Sequence, residues 1–370
     1  AACAAIVCFG LVFAAWIAPR FERPGVVLSV GVFVAGVVQL SFQLPAMLRL
    51  GLLRRPRWRW DDAGVRKIGQ LMLPAVFGSS VSQVALLLDT LIASFLVTGS
   101  ISWLYYADRL MEFPLGVFSV ALATVILPGL SAHHTSQSVE RFAATLDWAL
   151  RLTIIVVTPA TVALIVLAGP LTVTIFHYGE FDAQDVYMSR LAVMGFATGL
   201  LGFSLVKVLA PGFFSRQDTR TPMRIGIRSL AVNMALNVFI VLPLAFYGRQ
   251  PWLHALLALN IGISAWYNAF QLYRGLRRDH VLHHAPGWRA MLVQVLAGNV
   301  VMGLGLAFLA GSTGRWMAMH TLERMAWMGV LVAGGAAVYF AVLFALGMRV
   351  GHLRVRPVGP IPPRANPPAA

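Results

Sequence analysis

Asp108, Arg109 and Glu112 fall within GSISWLYYADRLMEFP, residues 99 to 114, where long apolar runs on either side call for hydrocarbon. A charge on a membrane-spanning helix costs roughly 2.5 to 3.5 kcal/mol on insertion scales, so ionisable residues in such places mark sites of function. At 100° per residue Tyr105, Arg109 and Glu112 share one helix face, and Asp108 lies about 100° round from Arg109. Arg109 and Glu112 have the i, i+3 spacing of an ion pair. Pro114 removes a backbone donor and crowds the carbonyl of Leu110, so a kink is expected beside the charges. A kinked helix with an inward-facing cation suits a cavity that receives an anion; the competing reading is a closed ion-pair network with no ligand. Counting from Ser102 at the outer surface, Arg109 sits about 10 Å deep at 1.5 Å per residue, nearer the outer interface than the midplane.

A second set of polar residues lies in the preceding apolar run. LMLPAVFGSSVSQVALLLDTLIASFLV carries Pro74, Gly78, Ser79, Ser80, Ser82, Gln83 and, amid leucines, Asp89. That carboxyl is either protonated and hydrogen-bonded, or it coordinates a cation such as Na+ with oxygen ligands from neighbouring helices. Asn233 and Asn237, one helical turn apart in LAVNMALNVFIV, and Asn260 or Ser264 in the next run are its candidate partners. An Asn pair alone serves helix association as readily as it serves an ion.

The elements that must hold these residues are legible from hydropathy. Of 370 residues, 58% are hydrophobic and only 12% charged, and the mean hydropathy is +0.75, which belongs to an all-α polytopic membrane protein. Runs of 18 or more mostly apolar residues give about ten spans, since about 20 residues cross a core about 30 Å thick. They centre on residues 1–18, 25–48, 70–97, 102–130, 147–170, 188–210, 225–246, 252–273, 290–311 and 325–347. The net charge of +15 is gathered in the short connections and not on one polar face, which argues against a nucleic-acid partner. Arg49, Arg54, Arg55, Arg57, Arg59, Arg66 and Lys67 fill the second connection, Arg216, Arg220, Arg224 and Arg228 the sixth, and Arg274, Arg277, Arg278 and Arg289 the eighth. Residues 98–102 and 169–185 carry no basic residue. The positive-inside rule therefore makes the even connections and the tail cytoplasmic and runs the first helix outward.

Other features are less informative. Cys3 and Cys8 lie inside the first apolar run as small apolar residues. His133, His134, His283 and His284 occupy cytoplasmic connections with no carboxylate or Cys at ligand spacing, and read as solvated. The basic, Trp-containing segment LLRRPRWRWDDAGVRK reads as a connecting linker obeying topology, or as a surface for anionic headgroups or a pyrophosphate. The Pro-rich tail VRPVGPIPPRANPPAA reads as disordered. Neither a nucleotide-binding loop nor an activated nucleophile is present, so an enzyme is not expected.

LPAVFGSSVSQVALLLDTLIASFLVTGSISWLYYADRLMEFPLGVFSVALATVILPGLS, residues 73–131, closely resembles the MurJ (MviN) lipid II flippases of the multidrug/oligosaccharidyl-lipid/polysaccharide exporter superfamily. SWLYYADRLMEFPLGV is the most specific part, and PGFFSRQDTRTPMRIG, residues 211–226, is similar to the family's cytoplasmic connection. The resemblance implies a fourteen-helix fold of two six-helix lobes and an extra pair, of which this chain begins at the fifth helix. It divides the chain into residues 1–50, the end of the first lobe; 51–67, a basic cytoplasmic linker; 68–275, the second lobe; 288–347, the extra pair whose groove takes the lipid tail; and 348–370, a cytoplasmic tail. On this alignment the chain is expected to be a fragment without its first four helices.

The function implied is translocation of lipid II, the undecaprenyl-pyrophosphate-linked disaccharide-peptide, across the bacterial inner membrane by alternating access. Arg109 matches the family arginine of the central cavity that meets the pyrophosphate, with Glu112 and Asp108 its acidic neighbours and Ser102 and Tyr105 completing the substrate-facing set. Asp89 and Asn233 match positions of a Na+ site in some members, whereas Asn237 departs from the carboxylate found there. The resemblance also implies surrounding membrane lipids and the cell-wall synthesis machinery as partners. The alternatives are export of another polyprenyl-linked glycolipid, and a non-transporting membrane scaffold.

Overall fold

The computed structural model describes residues 24–49, 51, 63–120, 139–248, 250–279, 281–282 and 286–348. The first apolar run with Cys3 and Cys8, most of the basic linker, the four loop histidines and the tail lie outside the described residues. Among those described there is no strand. In lipid every backbone N–H and C=O must be satisfied within its own segment, so apolar runs of this length settle as helices.

The chain divides into two compact units, residues 1–67 and 68–370. The first unit contributes α1 (Pro24–Arg49), whose large apolar side chains point outward, Phe33 being 73% exposed, as expected where acyl chains are the solvent. Helix α2 (Ala63–Ser94) begins in this unit and continues into the next.

The second unit is built around α6 (Ala183–Phe214), its longest and most buried apolar helix. Before it come α3 (Ser100–Pro114), α4 (Val139–Val166) and the short α5 (Ala168–Phe176); after it come α7 (Arg220–Leu236), α8 (Leu242–Tyr247) and α9 (Leu253–Arg278). Helices α10 (Trp288–Ala310), α11 (Thr313–Ala318) and α12 (Thr321–Ala345) complete it. The described helices follow the spans expected from hydropathy to within several residues, α4 beginning earliest relative to expectation.

Helix α6 packs most extensively on α9, then on α4 and α3. The α6–α9 contact is close because glycines face it. A Cβ at Gly195 would lie 2.7 Å from the Ala255 carbonyl oxygen, one at Gly202 would lie 2.9 Å from the Trp266 backbone nitrogen, and one at Gly199 would run into the Cα of Gly262. Small residues at such positions let backbones approach where there is no hydrophobic drive between helices.

Helices α10 and α12 pack on each other and dock together on α4. Polar contacts fix the docking. The Asn299 amide donates to the Thr158 hydroxyl at 2.9 Å, and the Tyr339 hydroxyl donates to the Ile155 carbonyl at 2.8 Å. Their lipid side is bare, Phe308 being 87% exposed.

Two helices change pitch beside the candidate site. Directly after Pro114 the backbone runs as a π-helix over Leu115–Val120, and α7 passes into a second π segment at Asn237–Val241 before Pro243 enters α8. A proline deprives the preceding turn of a donor, and a wider turn absorbs the mismatch. The first lies where the kink was expected; nothing in the sequence reading anticipated the second.

Candidate functional site

Helix α3 starts from Gly99, whose φ of 99° is a left-handed conformation that glycine adopts freely. A side chain there would also strike the Trp103 indole, 2.6 Å from a Cβ. Trp103, Ala107, Leu110, Met111 and Pro114 form the buried face of α3. Ser102, Tyr105, Arg109 and Glu112 form the opposite, exposed face. This is the period of an amphipathic helix, with the residues expected to meet substrate on the side turned away from the core.

Three contacts hold that face in register. The Trp103 indole donates to Asp185 Oδ1 at 2.7 Å. Asp185 accepts this bond while serving the capping box of α6, its own N–H donating to Asp182 at 2.8 Å. His254, fully buried, stacks at 5.0 Å from the Trp103 ring, with its ring nitrogens 2.7 Å from the Pro251 carbonyl and 2.8 Å from that of Met188. One turn further along, Tyr106 packs against Phe176 and Phe181. The N-terminal ends of α3, α6 and α9 are thereby joined.

Above this foundation, Arg109 pairs with Glu112 at 2.5 Å, and its guanidinium lies 4.9 Å from the centre of the Tyr105 ring. The two side chains are 50% and 51% exposed. An ion pair so open contributes on the order of 0 to 1 kcal/mol and is no structural keystone. The pair instead orients Arg109: Glu112 takes one edge of the guanidinium and Tyr105 its face, leaving the remaining N–H groups for an incoming anion. Asp108 is half-buried on the flank of the helix, and no hydrogen bond or ion pair to it is found among the described residues. The i, i+3 pairing read from spacing is present; the closed three-residue network is not.

The second polar set is brought together inside the protein. Asp89 on α2, Asn233 on α7, Asn237 at the start of the second π segment and Asn260 on α9 are all buried, Asn237 completely. The Asn233 amide donates to both Asp89 oxygens at 2.9 and 3.1 Å, and the Asn237 amide donates to Oδ1 at 2.8 Å. Asn260 in turn donates to Asn237 Oδ1 at 2.9 Å. Ser264, the alternative partner, instead receives the Ser229 hydroxyl on its carbonyl at 2.7 Å and stays outside the cluster. The π turn at Asn237 sets this side chain toward α2 and α9, where an uninterrupted α-helix would have rotated the following residues differently.

One carboxylate and several amide oxygens are a hard-oxygen donor set that suits Na+. Asn233 Oδ1 is buried and has no hydrogen-bond partner among the described residues. Turning that amide about its terminal bond replaces a donor by an acceptor beside Asp89, so the residues fit a monovalent cation. The sequence reading missed the Trp103–Asp185–His254 junction, whose partners are 82 residues apart in the case of the indole bond.

Fold and site together define an all-α, multi-pass membrane protein of the exporter type, with a cation presented on one helix face and a buried polar cluster beside it. A family model described as lipid II flippase MurJ matches residues 3–327. The chain is 42% identical over 346 residues to the probable lipid II flippase MurJ of Haemophilus influenzae, covering 92% of this chain and 66% of that one. It is 42% identical over 345 residues to the protein of the same description from Vibrio cholerae serotype O1, covering 93% and 64%. It is 37% identical over 349 residues to the lipid II flippase MurJ of Burkholderia cenocepacia, covering 93% and 66%. A solved structure described as lipid II flippase MurJ, inward closed conformation, superposes with a TM-score of 0.67 at 18% identity over 91% of this chain and 65% of that one. The chain belongs to the MurJ lipid II flippase family. It spans about two thirds of the length of these relatives.

Proposed function

We propose that the whole protein to which this chain corresponds moves lipid II, the undecaprenyl-pyrophosphate-linked disaccharide-peptide, from the cytoplasmic to the outer leaflet of the bacterial inner membrane by alternating access. It is a transporter and not an enzyme. The observation that carries this reading is the half-exposed Arg109, oriented by Glu112 and Tyr105 on a helix whose neighbours are apolar. With one edge of the guanidinium taken by Glu112, its remaining N–H groups meet a pyrophosphate, and binding at a site reached alternately from either side carries the headgroup across. Ser102 and Tyr105 continue the contact surface toward the outer end, while Asp108 holds the flank. The concentration of Arg in the even connections supports a cytoplasmic C-terminus. The cell-wall synthesis machinery would meet the protein at the leaflets where the cargo is loaded and released.

Na+ is the proposed coupling ion, held by Asp89, Asn233 and Asn237. The ion would bridge α2, α7 and the adjoining π segment and so favour one packing of these helices over another, which is how differential affinity biases a two-state equilibrium.

The test is complementation of a strain depleted of its own flippase by the full-length protein. Arg109→Ala, produced at normal levels, is expected to abolish growth and precursor translocation. The double swap Arg109→Glu with Glu112→Arg separates roles: it restores an ion pair and would rescue a structural one, but it moves the cation by one turn and is expected not to rescue transport. Growth supported by Arg109→Ala or by the swap overturns the assignment.

A further inference from the structure

Away from the Arg109 face, a groove of about 780 Å³ opens between α4, α6, α9 and the first residues of α10. Its floor and walls are apolar, formed by Leu150, Ile154, Leu205, Trp266 and Phe270, and its mouth is formed by Trp288 and Arg289. Its volume lies in the range of pockets that enclose a small molecule or a single chain. The tail groove implied for the extra pair is a different place, since this cavity touches that pair only at residues 288–290.

The mouth lies at the basic end of the helices. Tyr273 on the α9 wall is followed at once by Arg274, Arg277 and Arg278, and α10 begins with Trp288 and Arg289. By the positive-inside rule this end faces the cytoplasmic leaflet. From Tyr273 to Trp266 the wall runs seven residues into the membrane, about 10 Å at 1.5 Å per residue. The groove thus reaches from headgroup level about two thirds of the way through the inner-leaflet half of the hydrocarbon.

The mouth is also firmly built. Asp147, 4% exposed, accepts the Trp288 indole at 2.8 Å and Arg151 Nε at 2.9 Å. Arg151 further donates to the Pro286 carbonyl at 3.1 Å and lies 5.2 Å over the Trp288 ring. Trp288 is therefore pinned as a wall, and the Arg151 charge is spent on Asp147. Arg289 beside it is exposed and forms no ion pair among the described residues.

We propose that this groove is a binding site for an anionic glycerophospholipid of the cytoplasmic leaflet, with one acyl chain between Ile154, Leu205 and Phe270 and the phosphate on Arg289. Charge complementarity selects the headgroup: Asp147 and Arg151 cancel, and Arg289 leaves a net cation at the mouth. Depth selects the chain, because a groove ending short of the midplane takes the chain of one leaflet, whereas a polyprenyl tail outruns it. An aromatic wall at the interface is the usual partner of the carbonyl and glycerol region.

Native mass spectrometry of the intact, delipidated protein tests this with phosphatidylglycerol and phosphatidylcholine of identical chains. Wild type is expected to hold phosphatidylglycerol about fivefold more tightly, the size expected of one guanidinium beside a net anionic headgroup in place of a zwitterionic one. Arg289→Glu is expected to remove that preference and Arg289→Lys to keep it. Ala290→Trp, at an exposed position on the rim, lays an indole across the groove and is expected to weaken both lipids. Phosphatidylglycerol bound as tightly by Arg289→Glu or Ala290→Trp as by wild type overturns the proposal. Displacement of bound phosphatidylglycerol by equimolar undecaprenyl phosphate also overturns it, since the groove would then belong to the polyprenyl chain.

Discussion

Among single residues, Asp89 carries the largest consequence. Its carboxylate is buried and receives three amide donations, and each donor satisfies an atom that hydrocarbon would leave unmet. In a soluble core, stripping a partner from such a group costs about 1 to 3 kcal/mol. In membranes the cost falls to about 0.6 kcal/mol on average, and about 1.7 at most, because the unfolded helices also find partners. Asn233→Leu should therefore destabilise by about 1 to 2 kcal/mol, near the membrane maximum because two bonds are lost. The proposed ion adds a second readout: Na+ should raise the thermal midpoint of the purified wild type but not of Asp89→Asn, which keeps one acceptor oxygen and loses the second acceptor and the charge. Equal Na+ responses in both would remove Asp89 from the cation site. That these residues meet was legible in the sequence, because a carboxyl and amides isolated among leucines have no alternative to one another in lipid. The choice of Asn260 over Ser264 was not, since it depends on how a π turn rotates α7 and its continuation.

Elements pack here by what they omit. Gly195, Gly199 and Gly202 recur along one face of α6 and admit α9 to backbone contact, and this contact also brings Asn260 to Asn237 and His254 to Trp103. Gly199→Val would force the two backbones apart, a strain of about 1 to 3 kcal/mol for overpacking. Its effect should appear twice: a lower unfolding midpoint in detergent, and weakened protection of the buried cluster, read as faster labelling of a cysteine placed at Asn260. A variant that folds with wild-type stability would mean that the α6–α9 contact gives way freely. Glycine spacing of this kind is visible in the chain, yet its partner helix is not, because any of several apolar helices could supply the facing surface. The Trp103–Asp185–His254 junction was invisible for a related reason: its three residues belong to separate helix ends, and only the assembled bundle brings those ends level.

For the molecule as a whole, hydropathy and charge already order the spans, and the helices found from α1 to α12 follow that order. Orientation rests on charge alone. Residues 169–185 carry Glu180, Asp182 and Asp185 without a basic residue, whereas the connection from α6 to α7 carries Arg216 and Arg220, and translocating a basic connection opposes the membrane potential at roughly 2.3 kcal/mol per charge per 100 mV. Those two charges crossing together, about 4.6 kcal/mol per 100 mV, would outweigh any single helix packing term named above, so the alternation should dictate topology. With Cys3 and Cys8 replaced by Ser, Glu180→Cys should react with a membrane-impermeant maleimide in intact spheroplasts. Gln217→Cys, exposed by the left-handed turn that ends α6 at a φ of 60°, should react only after permeabilisation. The opposite pattern would invert the protein in the membrane. It would also move the α4–α6–α9 groove to the outer leaflet, where the lipid composition, and not the groove chemistry, would then have to account for its occupant.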